Sequence, residues 1–268
     1  MNDTQLDKHS VTIRKRSVGE LFDLTLAVFR TEGLSILFWF SIFLVPLALL
    51  DHVLVSHFIE NWLLLDSEED AYYIAYVLLL IFFIPIQTPF VSSLLIVYLG
   101  KRMFMSDIRP RKAEVFIMWL EALPQLILYT FFLLPLILLY DNLPEIVVLE
   151  RAPLFRHKKD RVTTFRRLQN FHRNRFGEQF VIFTPLFLFG VVLIPALILI
   201  TGYLLYLCVG SYSVYPNLYC AVVTPVVCWT IMMFLVVFHF LRYINMRIER
   251  EGWDVELIFR AERSRLKE

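Results

Sequence analysis

The chain is predicted to be an all-α, polytopic helical membrane protein. It reads as four clear transmembrane helices plus a broken or re-entrant hydrophobic hairpin, with amphipathic surface helices on the cytoplasmic side. Three observations predict this. Of the 268 residues, 58% are hydrophobic and 16% aromatic, with a mean hydropathy of +0.62, whereas soluble domains run at ~45–50% apolar residues. Four stretches are long and uncharged enough to cross a bilayer. The 26 lysines and arginines fall only in alternate segments between those stretches.

A spanning helix needs ~20 predominantly apolar residues, because a backbone crossing ~30 Å of hydrocarbon must satisfy its own hydrogen bonds. Leu34 to Leu54, Tyr72 to Leu99, Gln179 to Cys208 and Leu218 to Leu241 meet that length, and only Asp51, near the end of the first, brings Asp, Glu, Lys or Arg into them. Pro46, Pro85, Pro89, Pro185, Pro195 and Pro225 interrupt these runs, which predicts kinked spans, tolerated where neighbouring helices re-satisfy the freed carbonyls. Pro85 and Pro89 bracket Gln87 and Thr88. That arrangement suits a packing kink first and an unwound ligand site of the transporter kind second.

Leu123 to Leu149 is a fifth apolar stretch, broken by Pro135, Asp141-Asn142 and Pro144. Its residues would make a helix of ~40 Å at ~1.5 Å each, so it either crosses once or dips in and returns. Charge arbitrates. Lys and Arg number five before Leu34, none from Asp51 to Ala71, five from Gly100 to Lys112, nine from Arg151 to Arg175, none from Val209 to Asn217 and seven from Arg242 onward. The loop without them carries Asp51, Glu60, Asp66, Glu68, Glu69 and Asp70. Basic residues flanking spans stay cytoplasmic, so both termini and the 100–112 loop are expected inside and the acidic loop outside. A full crossing by residues 123–149 would put nine basic side chains outside, each forfeiting ~1 kcal/mol of attraction to anionic inner-leaflet lipid. Re-entry, with a break near Pro135 to Asn142, is the expected solution.

The resulting single membrane domain has a cytoplasmic amphipathic segment at 1–33, a first hairpin at 34–99 with its acidic outer loop at 51–71, and a basic loop with surface helix at 100–122. A short or re-entrant hairpin follows at 123–150, then a basic surface helix at 151–177, a third hairpin at 178–241 and a charged cytoplasmic tail at 242–268. Lys8, Arg14, Lys15, Arg16 and Arg30 occupy the first 33 residues with no apolar core of a signal peptide, so the start of the chain is expected to remain in the mature protein.

Each surface helix has its own local signal. Ser17-Val-Gly-Glu20 is a capping box, in which hydroxyl and carboxylate satisfy each other's backbone donors, and Leu21, Leu24 and Val28 recur behind it at helical spacing. After Pro110, the apolar residues Val115, Met118, Trp119 and Ala122 alternate with Arg111, Lys112, Glu114 and Glu121. From Thr164 to Phe176, Phe165, Leu168, His172 and Phe176 share a face opposite several arginines. The pattern is three repeats of surface helix plus hairpin, each returning to a basic exit at Lys101-Arg102, Arg151, or Arg242 with Arg247.

Two runs carry a resemblance. Leu149-Glu150-Arg151-Ala152-Pro153-Leu154, followed by Arg166-Arg167 and His172-Arg173-Asn174, and the exit Tyr243-Ile-Asn-Met-Arg247-Ile-Glu-Arg250-Glu251-Gly252-Trp253-Asp254 resemble segments of a bacterial multi-span membrane family. That family is related to the membrane domain attached to some glycerophosphodiester phosphodiesterases. The resemblance covers most of the chain and implies a bacterial inner-membrane protein. The family usually has six spans, and the second hairpin here is short for two. Nothing in the chain resembles the phosphodiesterase catalytic barrel, so no catalytic residue is carried over.

The chemistry-bearing residues read mostly as structure. His52, His57 and Glu60, with Asp51, are types that can ligate a divalent ion, but their spacing matches no known site and a solvated acidic loop explains them. Gln87, Glu121, Gln125 and His239 are the intramembrane polar candidates, since such groups are costly at membrane depth. His239 is the one that titrates near neutrality. Glu150, Arg151, Arg166, Arg167, Arg247, Arg250, Glu251 and Asp254 are expected to form an inner-face ion cluster that fixes the arrangement of the repeats or faces lipid. Cys208, Cys220 and Cys228 lack ligand spacing and read as small buried side chains.

No nucleophile with its base, phosphate loop, dinucleotide fingerprint or metal cluster is recognisable. The expected role is therefore a non-enzymatic scaffold or partner subunit without metal or other cofactor. Its expected partners are anionic lipid headgroups and membrane or cytoplasmic proteins, with no nucleic acid. The alternative is a small-molecule or lipid transporter built on the Pro85–Pro89 break and His239, which requires a polar mid-membrane cavity where a scaffold requires apolar packing.

Overall fold

The computed structural model describes residues 16–63, 69–104, 111–137, 143–150, 163–172, 190, 192–204, 206–207 and 223–252. Among these residues nearly all are helical and none lies in a strand. The helices are α1 (Val18–Phe58), α2 (Glu69–Phe104), α3 (Lys112–Ile137), α4 (Leu143–Glu145), α5 (Thr164–His172), α6 (Val192–Leu204) and α7 (Thr224–Glu251). A π-helical turn, Ile59–Leu63, follows α1, and another, Ile146–Glu150, follows α4.

Among the described residues two helices, α1 and α7, are long and apolar enough to cross a membrane, and α2 makes a third if its bent halves count as one span. This is fewer than the four clear spans expected. The stretch from Tyr72 to Leu99 lies in α2, which bends by 50° between Ile74–Ile84 and Ile86–Met103. Pro85 has no N–H to continue the ladder, and the Thr88 hydroxyl bonds back to the Ile84 carbonyl at 2.8 Å, a contact that itself bends helices. Of the stretch from Gln179 to Cys208, the structure describes mainly α6, which is shorter than a span. The beginning of the Leu218 to Leu241 stretch lies outside the described residues, and α7 takes it up at Thr224.

The chain divides into two compact units. Unit 1 comprises Met1–Ile36, Ser92–Asn174 and Val236–Glu268, and unit 2 comprises Leu37–Val91 and Arg175–Leu235. Every lysine and arginine except Arg175 falls in the sequence ranges of unit 1, while the acidic loop belongs to unit 2.

In unit 1 the capping box forms as the spacing predicts. The Ser17 N–H donates to Glu20 Oε2 at 2.9 Å and the Glu20 N–H donates to Ser17 Oγ at 3.3 Å. The surface helix expected next is not a separate element, because α1 runs from Val18 straight through Thr31-Glu32-Gly33. Thr31 bonds back to the Ala27 and Val28 carbonyls, Glu32 is neutralised by Arg102 at 2.8 Å, and nothing in between breaks the ladder. The span that contains α1, Val18–Asn61, has 44 residues, or ~66 Å at ~1.5 Å each, about twice the ~30 Å of hydrocarbon.

The second surface helix is likewise continuous with the apolar stretch behind it. In α3, Val115, Trp119, Ala122 and Leu126 are buried along one stripe while Phe116, Ile117, Leu120, Ile127 and Leu128 are exposed. Apolar residues on both faces fit a helix packed on one side and set against lipid on the other. This helix ends at Ile137, within the region expected to break, and helical residues resume at Leu143. Ile146, Val147 and Val148 of the second π turn are buried, as is α2 all round from Val91 to Gly100. At the end of α7, Gly252 has φ +60° and its N–H bonds the Ile248 carbonyl at 3.1 Å, a left-handed cap that glycine forms without a Cβ penalty.

Unit 2 packs around aromatic side chains. Trp39, Phe40, Val55, Ile59, Tyr76, Leu80, Ile84 and Trp229 are buried, and the rings of Phe40 and Trp229 meet edge to face with centroids 6.0 Å apart. On α1, Leu37, Phe38, Val45, Leu49, Val53 and Leu54 are exposed, a lipid-facing set for a helix in a bilayer.

One close approach gives a test. A Cβ on Gly100 would lie 2.8 Å from Leu149 Cδ2, the far end of a flexible side chain. Gly100→Ala gains ~1 kcal/mol of helix propensity and requires Leu149 to turn aside, so its thermal melting in detergent is expected within ~1 kcal/mol of wild type. Gly100→Leu overfills the same contact and is expected to lose ~1–3 kcal/mol.

Candidate functional site

Unit 1 is organised around two carboxylates. Glu150, the last residue of its π turn, accepts from Arg167 Nε on α5 at 2.7 Å and from the Tyr243 hydroxyl on α7, and Arg247 Nε lies 4.0 Å away. Glu32 on α1 accepts from the Tyr98 hydroxyl at 2.9 Å and from Arg102 Nε at 2.8 Å, both on α2. Tyr98 and Arg102 are four residues apart, as are Tyr243 and Arg247. That spacing puts a phenol and a guanidinium on one helix face, so α2 and α7 each end with the same Tyr-x-x-x-Arg grip on a glutamate.

The grip combines two kinds of donor. Arginine supplies charge and tyrosine a short, directed O–H, and hydrogen bonds to ionised acceptors are the stronger ones. All four charged groups at Glu150 and Glu32 that pair as salt bridges with Arg167 and Arg102 are largely buried, where such bonds are less screened by salt than exposed pairs are. Two further contacts belong to this unit. Asn245 on α7 brackets the Arg16 backbone, accepting from its N–H at 2.8 Å and donating to its carbonyl at 3.1 Å. Lys101 pairs with the exposed Glu114 of α3 at 3.0 Å, and that hydrogen bond, followed by the lysine charge, holds the Glu114 carboxyl below its ordinary value.

Of the predicted ion cluster, the structure therefore joins Glu150, Arg167 and Arg247. Arg166, its neighbour on α5, is exposed, with its N–H on Thr163 Oγ1 at the helix start, and Arg250 is exposed near the end of α7. Glu251 is the last residue of α7; its side chain, and Arg151 and Asp254 altogether, lie outside the described residues. Of the intramembrane polar candidates, Glu121 and Gln125 are exposed on α3, and His239 is partly buried with its ring edge-on to Phe238 at 6.0 Å.

Gln87 has a specific partner in unit 2. Its Nε2 donates to Asp51 Oδ1 at 2.6 Å, and Trp229 Nε1 donates to Asp51 Oδ2 at 3.0 Å. Asp51 is fully buried. His52 and His57 do not converge with it on an ion: His52 Nδ1 lies 3.3 Å from the Tyr76 hydroxyl and His57 Nδ1 3.0 Å from the Asn61 amide. Among the described residues no group of three His, Cys, Asp or Glu is placed to hold a metal.

Sequence reasoning passed over Glu32, Tyr98 and Tyr243, although the signal was present as a Tyr-x-x-x-Arg at the end of two apolar runs. It also placed Asp51 in the outer loop. Comparison of the chain with protein-family models, curated proteins and solved structures gives no match, so the site is read from its own chemistry.

That reading makes Glu150 the anchor. Tyr243→Phe removes a hydrogen bond to a charged acceptor and is expected to lower stability by ~1.5–3 kcal/mol. Glu150→Ala also strands two guanidinium groups and is expected to cost ~3–5 kcal/mol. Denaturant melting of both variants and the double variant in mild detergent should give a coupling of ~0.5–3 kcal/mol; additive losses would show that the two groups do not act together.

Proposed function

We propose that the chain is a non-enzymatic scaffold or partner subunit of the bacterial inner membrane, with both termini and the basic segments on the cytoplasmic face. The observation that carries this reading is the saturation of Glu150. One carboxylate draws on α5 and on α7 at two positions, and so holds a basic surface segment against a spanning helix. A glutamate engaged in this way serves geometry, and Glu32 is engaged in the same way. Four spans with a re-entrant stretch at 123–149 complete the proposal, supported by every lysine and arginine but Arg175 falling in the sequence ranges of unit 1. The resemblance to the membrane family described above supports the same setting.

The topology is tested by labelling single cysteines at Ser67 and Asn170, the latter exposed on α5, in a Cys-free background with an impermeant thiol reagent. Ser67→Cys is expected to label from outside and Asn170→Cys only after permeabilisation. Labelling of both from outside would overturn it.

The partner surface follows from α5. Arg166, Gln169 and Asn170 are exposed on it, while Arg167 turns to Glu150. A basic side chain at the inner surface contributes ~1 kcal/mol toward anionic lipid, which is ~5-fold in affinity. Full-length protein extracted in mild detergent is expected to retain phosphatidylglycerol over phosphatidylethanolamine, measured by lipid mass spectrometry. Arg166→Glu should reduce that enrichment by ~5-fold or more, and unchanged enrichment would remove the lipid-facing role of α5.

A further inference from the structure

We propose that the Asp51–Gln87–Trp229 cluster of unit 2 is a buried proton-binding site, with Asp51 the acid that takes up and gives up one proton. This goes beyond the scaffold reading, which makes no use of these residues.

The first ground is the company Asp51 keeps. It has 0% exposure, and its two oxygens each meet one neutral donor, Gln87 Nε2 at 2.6 Å and Trp229 Nε1 at 3.0 Å. No cation pairs with it among the described residues, and the ranges of unit 2 hold a single lysine or arginine, Arg175. The contrast with unit 1 is direct, since Glu32 and Glu150 each have arginine. An ionised carboxylate removed from water without a cation is among the costliest groups to bury, and such groups are neutralised instead.

The second ground is the amide opposite. Gln87 Oε1 is buried with no hydrogen-bond partner among the described residues. A glutamine side chain offers both a donor and an acceptor, so turning the amide over places Oε1 where the N–H now points. In one orientation the N–H donates to the carboxylate, and in the other the carbonyl accepts from a carboxylic acid O–H. Gln87 can therefore serve Asp51 in either protonation state, while Trp229, a donor only, holds the other oxygen in both. Protonation forms one O–H bond at Asp51 and breaks none in the protein, with water as proton source and sink.

The surrounding groups leave the assignment to Asp51. On α1 the nearest titratable side chain is His52, partly exposed and turned to the Tyr76 hydroxyl at 3.3 Å and the Ser56 hydroxyl at 3.4 Å. On α2, beyond Glu69, Asp70 and the tyrosines of its first turns, the polar groups of unit 2 are Gln87 and Thr88, the last bonded to the Ile84 carbonyl. On α7, Cys228 is buried beside Trp229 and Thr230 bonds the Val226 carbonyl.

The test is infrared difference spectroscopy on the full chain reconstituted in phosphatidylglycerol–phosphatidylethanolamine vesicles, scanned from about pH 5 to about pH 9, above the ~3.9–4.3 at which ordinary carboxylic acids titrate. A carboxylic acid C=O band that comes and goes with pH is expected in wild type. It should be lost in Asp51→Asn, shifted in frequency in Asp51→Glu, and changed in midpoint in Gln87→Leu. Asp51→Glu keeps the test open if the asparagine variant does not fold. A band unaffected by either Asp51 substitution, a carboxylate at every pH, or an acid band that never titrates would overturn the proposal. Loss of the band on exchanging choline chloride for sodium chloride at fixed pH would assign the site to a monovalent cation and overturn it equally.

Discussion

An ionised carboxylate beside hydrocarbon has to be given donors, and the described architecture follows from how three acids meet that demand. A guanidinium can offset the cost of burying that charge through attraction and hydrogen bonds, and unit 1 brings one to Glu32 and one to Glu150. Glu32 takes Arg102 and Glu150 takes Arg167. Arg102 sits at the basic end of an apolar run, whereas Arg167 comes from the polar helix α5. Among the described residues unit 2 brings no guanidinium to Asp51, which is fully buried and met by an amide and an indole.

The tyrosines refine this arrangement. A guanidinium satisfies charge over a range of approaches, whereas a phenol satisfies it along one direction. Placing both four residues apart on the same helix fixes the rotation of that helix about its axis as well as its distance from the glutamate. The same device stands on α2 and α7, at Tyr98 with Arg102 and at Tyr243 with Arg247.

How much of this was legible follows from the range of each interaction. The capping box of Ser17 and Glu20 spans three residues, and the structure forms it as read. Apolar runs locate α1, α2 and α7 because helix burial is a property of consecutive residues. Glu32 carries no local signal of its role; its partner Arg102 stands seventy positions away, beyond any periodicity. The bend of α2 was legible from Pro85, but whether its halves act as one span is set by packing. Asp51 was assigned to the acidic loop by composition. Nothing local announces that α1 continues to Phe58 or that Trp229, 178 positions on, donates to it. Of the ion cluster, Glu150 and Arg247 were legible as charges flanking apolar runs, whereas Tyr243 was hidden by counting as an aromatic.

The two grips differ in one respect that concerns how the protein is made. Glu32 finds both of its donors within α1 and α2, so its grip can close when the second helix has left the ribosome. Glu150 has Arg167 soon after it but must wait 93 positions for Tyr243. Since chains are built from the amino terminus, the nascent protein passes through an interval in which Glu150 has only Arg167 of these partners. On arrival α7 thus completes a half-formed anchor.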